Sequence, residues 1–197
     1  MDAMVVPIAG GEVDYNSKFF MVDKITGVVD SDGNQTGRLY GLCDNKYVSY
    51  PMSNEIYNIN GRNLKQGDLI RISLNPLNEI TGFKELIYKG TDTTPAEMVS
   101  DSLNEYSVVG SGFHLVYGYD YSKKDSITLI KYSLSGVEKE VVVDTNVVAP
   151  YVYDRSQNKV FVGNISHIRD KLFVQNPSKA FVKTNSVKVD FLAIFND

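Results

Sequence analysis

The chain has one thiol and two imidazoles, Cys43, His114 and His167. A tetrahedral metal site would need all three together, or carboxylates in place of one, and no short ligand spacing links them. His114 stands inside the apolar run FHLV and His167 in a polar stretch, so both read as structural residues. Cys43, in LYGLCDNKY, sits at a strand end beside a turn, the setting of a small buried residue; a nucleophile would need a histidine brought to it in space. Asp30-Ser31-Asp32-Gly33-Asn34 starts like a calcium loop. The sixth position is Gln35 instead of glycine, however, and the twelfth is Gly41 instead of a bidentate carboxylate. A β-turn held by Asx hydrogen bonds accounts for the same residues. Gly110-Ser111-Gly112 lacks the remaining glycine and the strand–loop–helix setting of a nucleotide loop. No carboxylate pair stands out as an acid/base couple. We therefore expect no catalytic residues, no metal, no cofactor and no enzyme activity.

The tyrosines carry more information. Tyr117, Tyr119 and Tyr121 alternate and so share one strand face, as do Tyr151 and Tyr153. Tyr40, Tyr47, Tyr50 and Tyr57 fall in the first half of the chain. One reading packs these rings around the rim of a small barrel. The other makes Tyr117, Tyr119, Tyr121, Tyr151 and Tyr153 an amphipathic stripe for a protein partner or a glycan, because tyrosine is enriched at interfaces. Residues 1–17 read as an arm, either a frayed terminus or a segment that docks on a neighbouring subunit through Val5, Val6 and Ile8.

Composition narrows the classes. A net charge of -4 is spread over both halves of the 197 residues with no basic block. This predicts that nucleic acid is not a partner. No apolar run is long enough to span a bilayer, and no basic amphipathic segment points to a membrane surface. A lone cysteine forms no intrachain disulfide. The first residues lack a basic n-region and a long apolar h-region, so we expect no export by that route.

The elements that position these residues are strands. Tyr (13) and Phe (9) are plentiful and Trp is absent, with Val and Ile frequent. Gly67-Asp68 is a turn signal. Leu69, Arg71 and Ser73 then alternate with Ile70, Ile72 and Leu74, and Asn75-Pro76-Leu77-Asn78 leads into a partner over 79–87. Residues 18–29, 37–42 and 46–50 supply earlier strands, with Asp44-Asn45 as a tight turn. Around Ile56 and Tyr57 a short strand or turn is expected. Thr94, Pro95 and Glu97 form a capping-box pattern, which predicts one short helix between two units. Strands follow over 106–121, 127–132, 138–143, 147–153, 159–162 and 179–195. The fold class expected is all-β, two tandem small β-barrel or sandwich units (18–90 and 105–197) joined by a linker with a short helix over 91–104. The order of strands in the two halves reads as an internal repeat.

Two stretches carry a family likeness. Lys65-Gln66-Gly67-Asp68-Leu69-Ile70-Arg71-Ile72-Ser73-Leu74-Asn75 is similar to the GD-led hairpin of the small β-barrel repeats that accompany S-layer homology domains in Gram-positive bacteria. Ser178-Lys179-Ala180-Phe181-Val182-Lys183-Thr184 with Val187-Lys188-Val189-Asp190-Phe191-Leu192-Ala193-Ile194 resembles their terminal hairpin. The style is also similar to tailed-phage virion barrels. The resemblance implies a non-catalytic assembly subunit or decoration protein of a virion, located in the particle or in host cytoplasm before assembly. The alternative it implies is a cell-surface module that grips a glycan or wall polymer.

Overall fold

A computed structural model describes residues 17–91, 112–119, 126–132, 138–144, 149–169, 178–185 and 188–196. In the first half the strands are β1 (Ser17–Val29), β2 (Gln35–Cys43), β3 (Lys46–Met52), β4 (Leu69–Leu74) and β5 (Ile80–Tyr88). They close into a five-stranded barrel in the order β1-β2-β3-β5-β4. β1 serves two neighbours: Ser17 to Met21 pair with β4, and Met21 to Val29 pair with β2. The register slips between Val22 and Lys24, a bulge that bends the strand so that it can reach both partners. Asp44 and Asn45 both have positive φ (49° and 59°) in the two-residue turn joining β2 to β3, as the right-handed twist of a hairpin demands. β3 and β5 run parallel and meet at the single pair Met52–Ile80.

The barrel core is Phe20, Val22, Leu39, Cys43, Met52, Ile70, Ile72 and Ile80. Ile70 and Ile72 point in while Leu69 joins a second cluster outside, as the alternation predicts. The segment around Ile56 and Tyr57 is not a strand. It is a helix, α1 (Asn54–Ile59), whose Ser53 N-cap side chain accepts from the Ile56 N–H at 3.4 Å. Six residues are too few to display a 3.6-residue period, and the cap was the one local signal. Tyr57 lies over β1 and β2, so close that a Cβ at Gly37 would stand 2.3 Å from its ring. The helix expected over 94–103 lies outside the described residues.

The second half forms a seven-stranded sheet, in the order β10-β9-β12-β11-β6-β7-β8. Its strands are β6 (Gly112–Tyr119), β7 (Ser126–Tyr132), β8 (Glu138–Asp144), β9 (Tyr151–Asp154), β10 (Lys159–Val162), β11 (Lys179–Asn185) and β12 (Lys188–Asn196). β9 runs parallel to β12, and β8 at the far end of the order also comes alongside β12. The parallel β9–β12 pair has a counterpart in the parallel β3–β5 pair of the first barrel.

The two units are packed together. Phe19, Met21, Leu42, Leu69, Ile87 and Tyr88 of the first share one apolar cluster with Tyr151, Tyr153, Phe181, Phe191 and Phe195 of the second. Phe19 stacks on Phe191 with ring centroids 4.3 Å apart, and Tyr88 meets Phe195 at 3.9 Å. A five-stranded barrel ordered 1-2-3-5-4, with a helix between the third and fourth strands, has the topology of the OB barrel.

Candidate functional site

Packing of the second unit decides which barrel surface is left for a ligand. The outward residues of β1 and β4 nearest the junction, Phe19, Met21 and Leu69, are covered by it. Leu42 at the end of β2 is covered too, but among the described residues the rest of the outer face of β2 and β3 is not. Along β2 the outward positions are Arg38 and Tyr40, between the inward Gly37, Leu39 and Gly41. Along β3 they are Tyr47, Ser49 and Pro51, between the inward Val48, Tyr50 and Met52. β1 adds Lys24 and Thr26. Register turns these separate residues into rows, Lys24–Tyr40–Ser49 and Thr26–Arg38–Pro51.

Several side chains of this face are held. Arg38 Nη1 donates to Ser49 Oγ at 2.9 Å, and Lys24 Nζ lies 4.9 Å from the centre of the Tyr40 ring. Tyr47 is 52% exposed, yet its hydroxyl donates to Asp23 Oδ2 at 2.6 Å. The other Asp23 oxygen accepts from Gln66 Nε2 at 2.8 Å, and the same amide donates to the Asn158 carbonyl of the second unit at 3.0 Å. Burial, reinforced by the hydrogen bond to Asp23, pushes the Tyr47 hydroxyl up to about 12. The phenol is thus a neutral donor at every physiological pH. The β-bulge places Asp23 for this role, because it frees that residue from the ladder. The face therefore offers two aromatic rings, two cations and a hydroxyl, all projecting from paired strands.

The residues singled out from sequence fall elsewhere. Tyr151 and Tyr153 are 3% and 6% exposed and belong to the cluster between the units. They are not a solvent-facing stripe, because β9 lies between β10 and β12 with the first barrel against it. Tyr151 still makes a polar contact, accepting from the Asn45 N–H at 2.9 Å. Tyr117 and Tyr119 lie on β6, whose register shifts between Val116 and Gly118, interrupting plain alternation there. Val5, Val6, Ile8 and Tyr121 lie outside the described residues. Cys43 points into the barrel core, and burial, then the nearby Asp44 carboxylate, pushes its thiol up to about 11. His167 Nδ1 accepts from the Asn164 N–H at 3.1 Å, closing its own turn. Among the described residues no group of three metal-ligating side chains gathers. In the 30–34 turn, Asp30 Oδ1 accepts from the N–H groups of Asp32 (3.0 Å) and Asn34 (2.8 Å), which makes it an Asx turn.

Lys24, Arg38, Tyr40 and Tyr47 were not marked in the sequence as a group. The signal was present as alternation in GRLYG, where Arg38 and Tyr40 lie between inward residues, and in NKYVSY, where Tyr47 and Ser49 take the outward parity.

No family model matches the chain, and no curated protein matches it in sequence. Among solved structures it aligns with that of a murine DNA binding protein bound with ds DNA. That match has 12% identity and a TM-score of 0.29, covering 92% of this chain and 91% of the other. It also aligns with the p204 HINb domain at 14% identity and a TM-score of 0.28, covering 94% and 96%. TM-scores this low establish no shared fold, and no role is drawn from them. The alignments, to a DNA-bound protein and a HINb domain, run against the expectations of a virion subunit, of a cell-envelope module and of a chain without a nucleic-acid partner, which are not carried further.

Proposed function

We propose that this chain is a non-catalytic binding protein that takes up a single strand of nucleic acid on the outer face of β2 and β3. The observation that supports this is the convergence of Tyr40 and Tyr47 with Lys24 and Arg38 on a barrel face that, beyond Leu42, the described residues of the second unit leave uncovered. Bases stack on tyrosine rings irrespective of sequence, and cations beside the rings meet the phosphates. OB barrels use this same pair of strands for oligonucleotides and oligosaccharides. The rings are fixed before ligand arrives, Tyr47 by Asp23 and Tyr40 by Lys24, which lowers the entropy lost on binding.

The net charge of -4 does not oppose this, because phosphates respond to the local field of the groove and not to the total. It does set the strength. Two phosphate contacts give a slope of log Kobs against log salt of about -1.4 on a single strand, a weak dependence.

Fluorescence anisotropy with labelled oligothymidylate tests the reading. Tyr40→Ala and Tyr47→Ala each lower affinity by about 1–3 kcal/mol. Arg38→Ala makes the salt slope shallower by about 0.7. Saturable binding that all three substitutions leave unchanged places the ligand elsewhere and sinks the proposal, as does the absence of binding at low salt.

A further inference from the structure

The barrel closes unevenly. Among the described residues β5 has no strand on its β3 side beyond the Met52–Ile80 pair, and the chain from α1 to β4 runs past that open edge. Between them lies a cleft of about 550 Å³. Its wall is mostly apolar, with Ile70 and Phe83 belonging to the barrel core and Leu86 at the surface. The register of β4 against β5 shifts three times, between Leu69 and Ile70, Arg71 and Ile72, and Ser73 and Leu74. Such repeated bulges splay a strand pair and re-aim its side chains.

The charge lining this cleft is predominantly positive. Lys65, Lys84 and Lys89 line it, and the one carboxylate among its lining residues is Asp68. Both Asp68 oxygens are engaged inward, accepting from the Lys65 N–H and the Gly90 N–H at 2.7 Å each. Asp68 thus holds the turn together and is itself buried, while Lys65 and Lys89 are exposed. A cavity of this size with apolar walls and a few charged groups at its edge has the character of a small-molecule site.

We propose that this cleft is a binding site for a small amphipathic anion, a ring or short apolar body bearing one carboxylate, sulfonate or phosphate. The apolar body lies against Ile70, Phe83 and Leu86, and the anionic group meets the lysines at the mouth. This site is on β4 and β5, apart from the face of β2 and β3, and does not depend on the function proposed above.

The probe is 8-anilinonaphthalene-1-sulfonate, titrated into the full chain at neutral pH and followed by its fluorescence. Saturable binding at one site per chain is expected, at least about fivefold weaker in the double variant Lys65→Glu, Lys89→Glu. The neutral analogue N-phenyl-1-naphthylamine should bind at least about tenfold more weakly than the sulfonate, since it lacks the group the lysines recognise. Tyr40→Ala should leave both probes unaffected. The proposal is overturned by non-saturable binding, by equal affinity for the two probes, or by a folded double variant that binds the sulfonate as the unaltered chain does. The comparison of probes uses the unaltered chain, so it decides the matter even where the double variant does not fold.

Discussion

A side chain's chemistry here follows from the face it takes on its strand. Cys43 alternates with Leu42, points inward, and its thiol is pushed up to about 11 by burial and Asp44. At pH 8 the thiolate population is then on the order of 100-fold below that of a free cysteine. Ellman's reagent should therefore label the folded chain on that slower scale and the chain in denaturant at once. Rapid labelling of the folded protein would contradict the inward placement. Two residues upstream of Cys43, Gly41 also points inward, while Tyr40 and Arg38 take the other parity and face solvent. This parity was legible in the sequence; the rows were not. Lys24, Arg38 and Ser49 are far apart along the chain, and a bulge at Asp23 shifts β1 by one residue against β2. Alternation alone would have placed Asp23 and not Lys24 opposite Tyr40.

At the level of elements, the turn before β4 shows how much a short segment fixes. Gly67 has φ of +84°, and a Cβ there would lie 2.3 Å from the Tyr153 ring of the second unit. Its N–H donates to the Val22 carbonyl at 2.8 Å, and the Val22 N–H donates to the Asp68 carbonyl at 2.8 Å. Gly67→Ala is expected to lose at least about 1–2 kcal/mol from the backbone alone, with the ring contact adding to it; urea denaturation reads this as a lower midpoint. The Gly-Asp pair announced a turn in the sequence, but the partner ring lies in another unit and left no local trace. A second turn controls the acid response. Burial tends to raise the Asp154 carboxyl, but hydrogen bonds from Ser156 and the Gln157 N–H, together with Arg169 at 3.3 Å, outweigh it and hold it below the ordinary carboxylate range. Its stabilisation is complete above the unfolded-state value. As pH falls the unfolded chain takes up the proton first, so this contribution is lost from about pH 5 downward. Asp154→Asn should cost about 2 kcal/mol near neutrality and flatten the acid limb of a plot of melting temperature against pH. An unchanged limb would assign the acid response to other carboxylates.

For the molecule as a whole, two strand sets that sequence presents as separate barrels share one apolar cluster. Phe181, fully buried, sits in that cluster near both Phe19 at 5.8 Å and Phe191 at 6.2 Å. Neither unit could keep these rings dry alone. Denaturant unfolding should therefore give one transition by tyrosine fluorescence and by circular dichroism, and Phe181→Ala should lower stability by about 3–5 kcal/mol. Two separated transitions would mean that the units are independent. Composition foretold the all-β class. Which face each unit would bury was illegible, because Tyr151 and Tyr153 look the same in sequence whether they meet water or another barrel.

Asn45 gives this docking a clock. It stands at the tip of a two-residue hairpin turn, where amide protons ordinarily exchange with solvent without any opening of the fold. Here its N–H is spent on the hydroxyl of Tyr151, a residue of the other unit. Its hydrogen–deuterium exchange should thus proceed only when the units part, so one amide reports the free energy of their separation. In Tyr151→Phe that amide should exchange at the rate of an exposed turn while the amides of the barrel strands keep their protection.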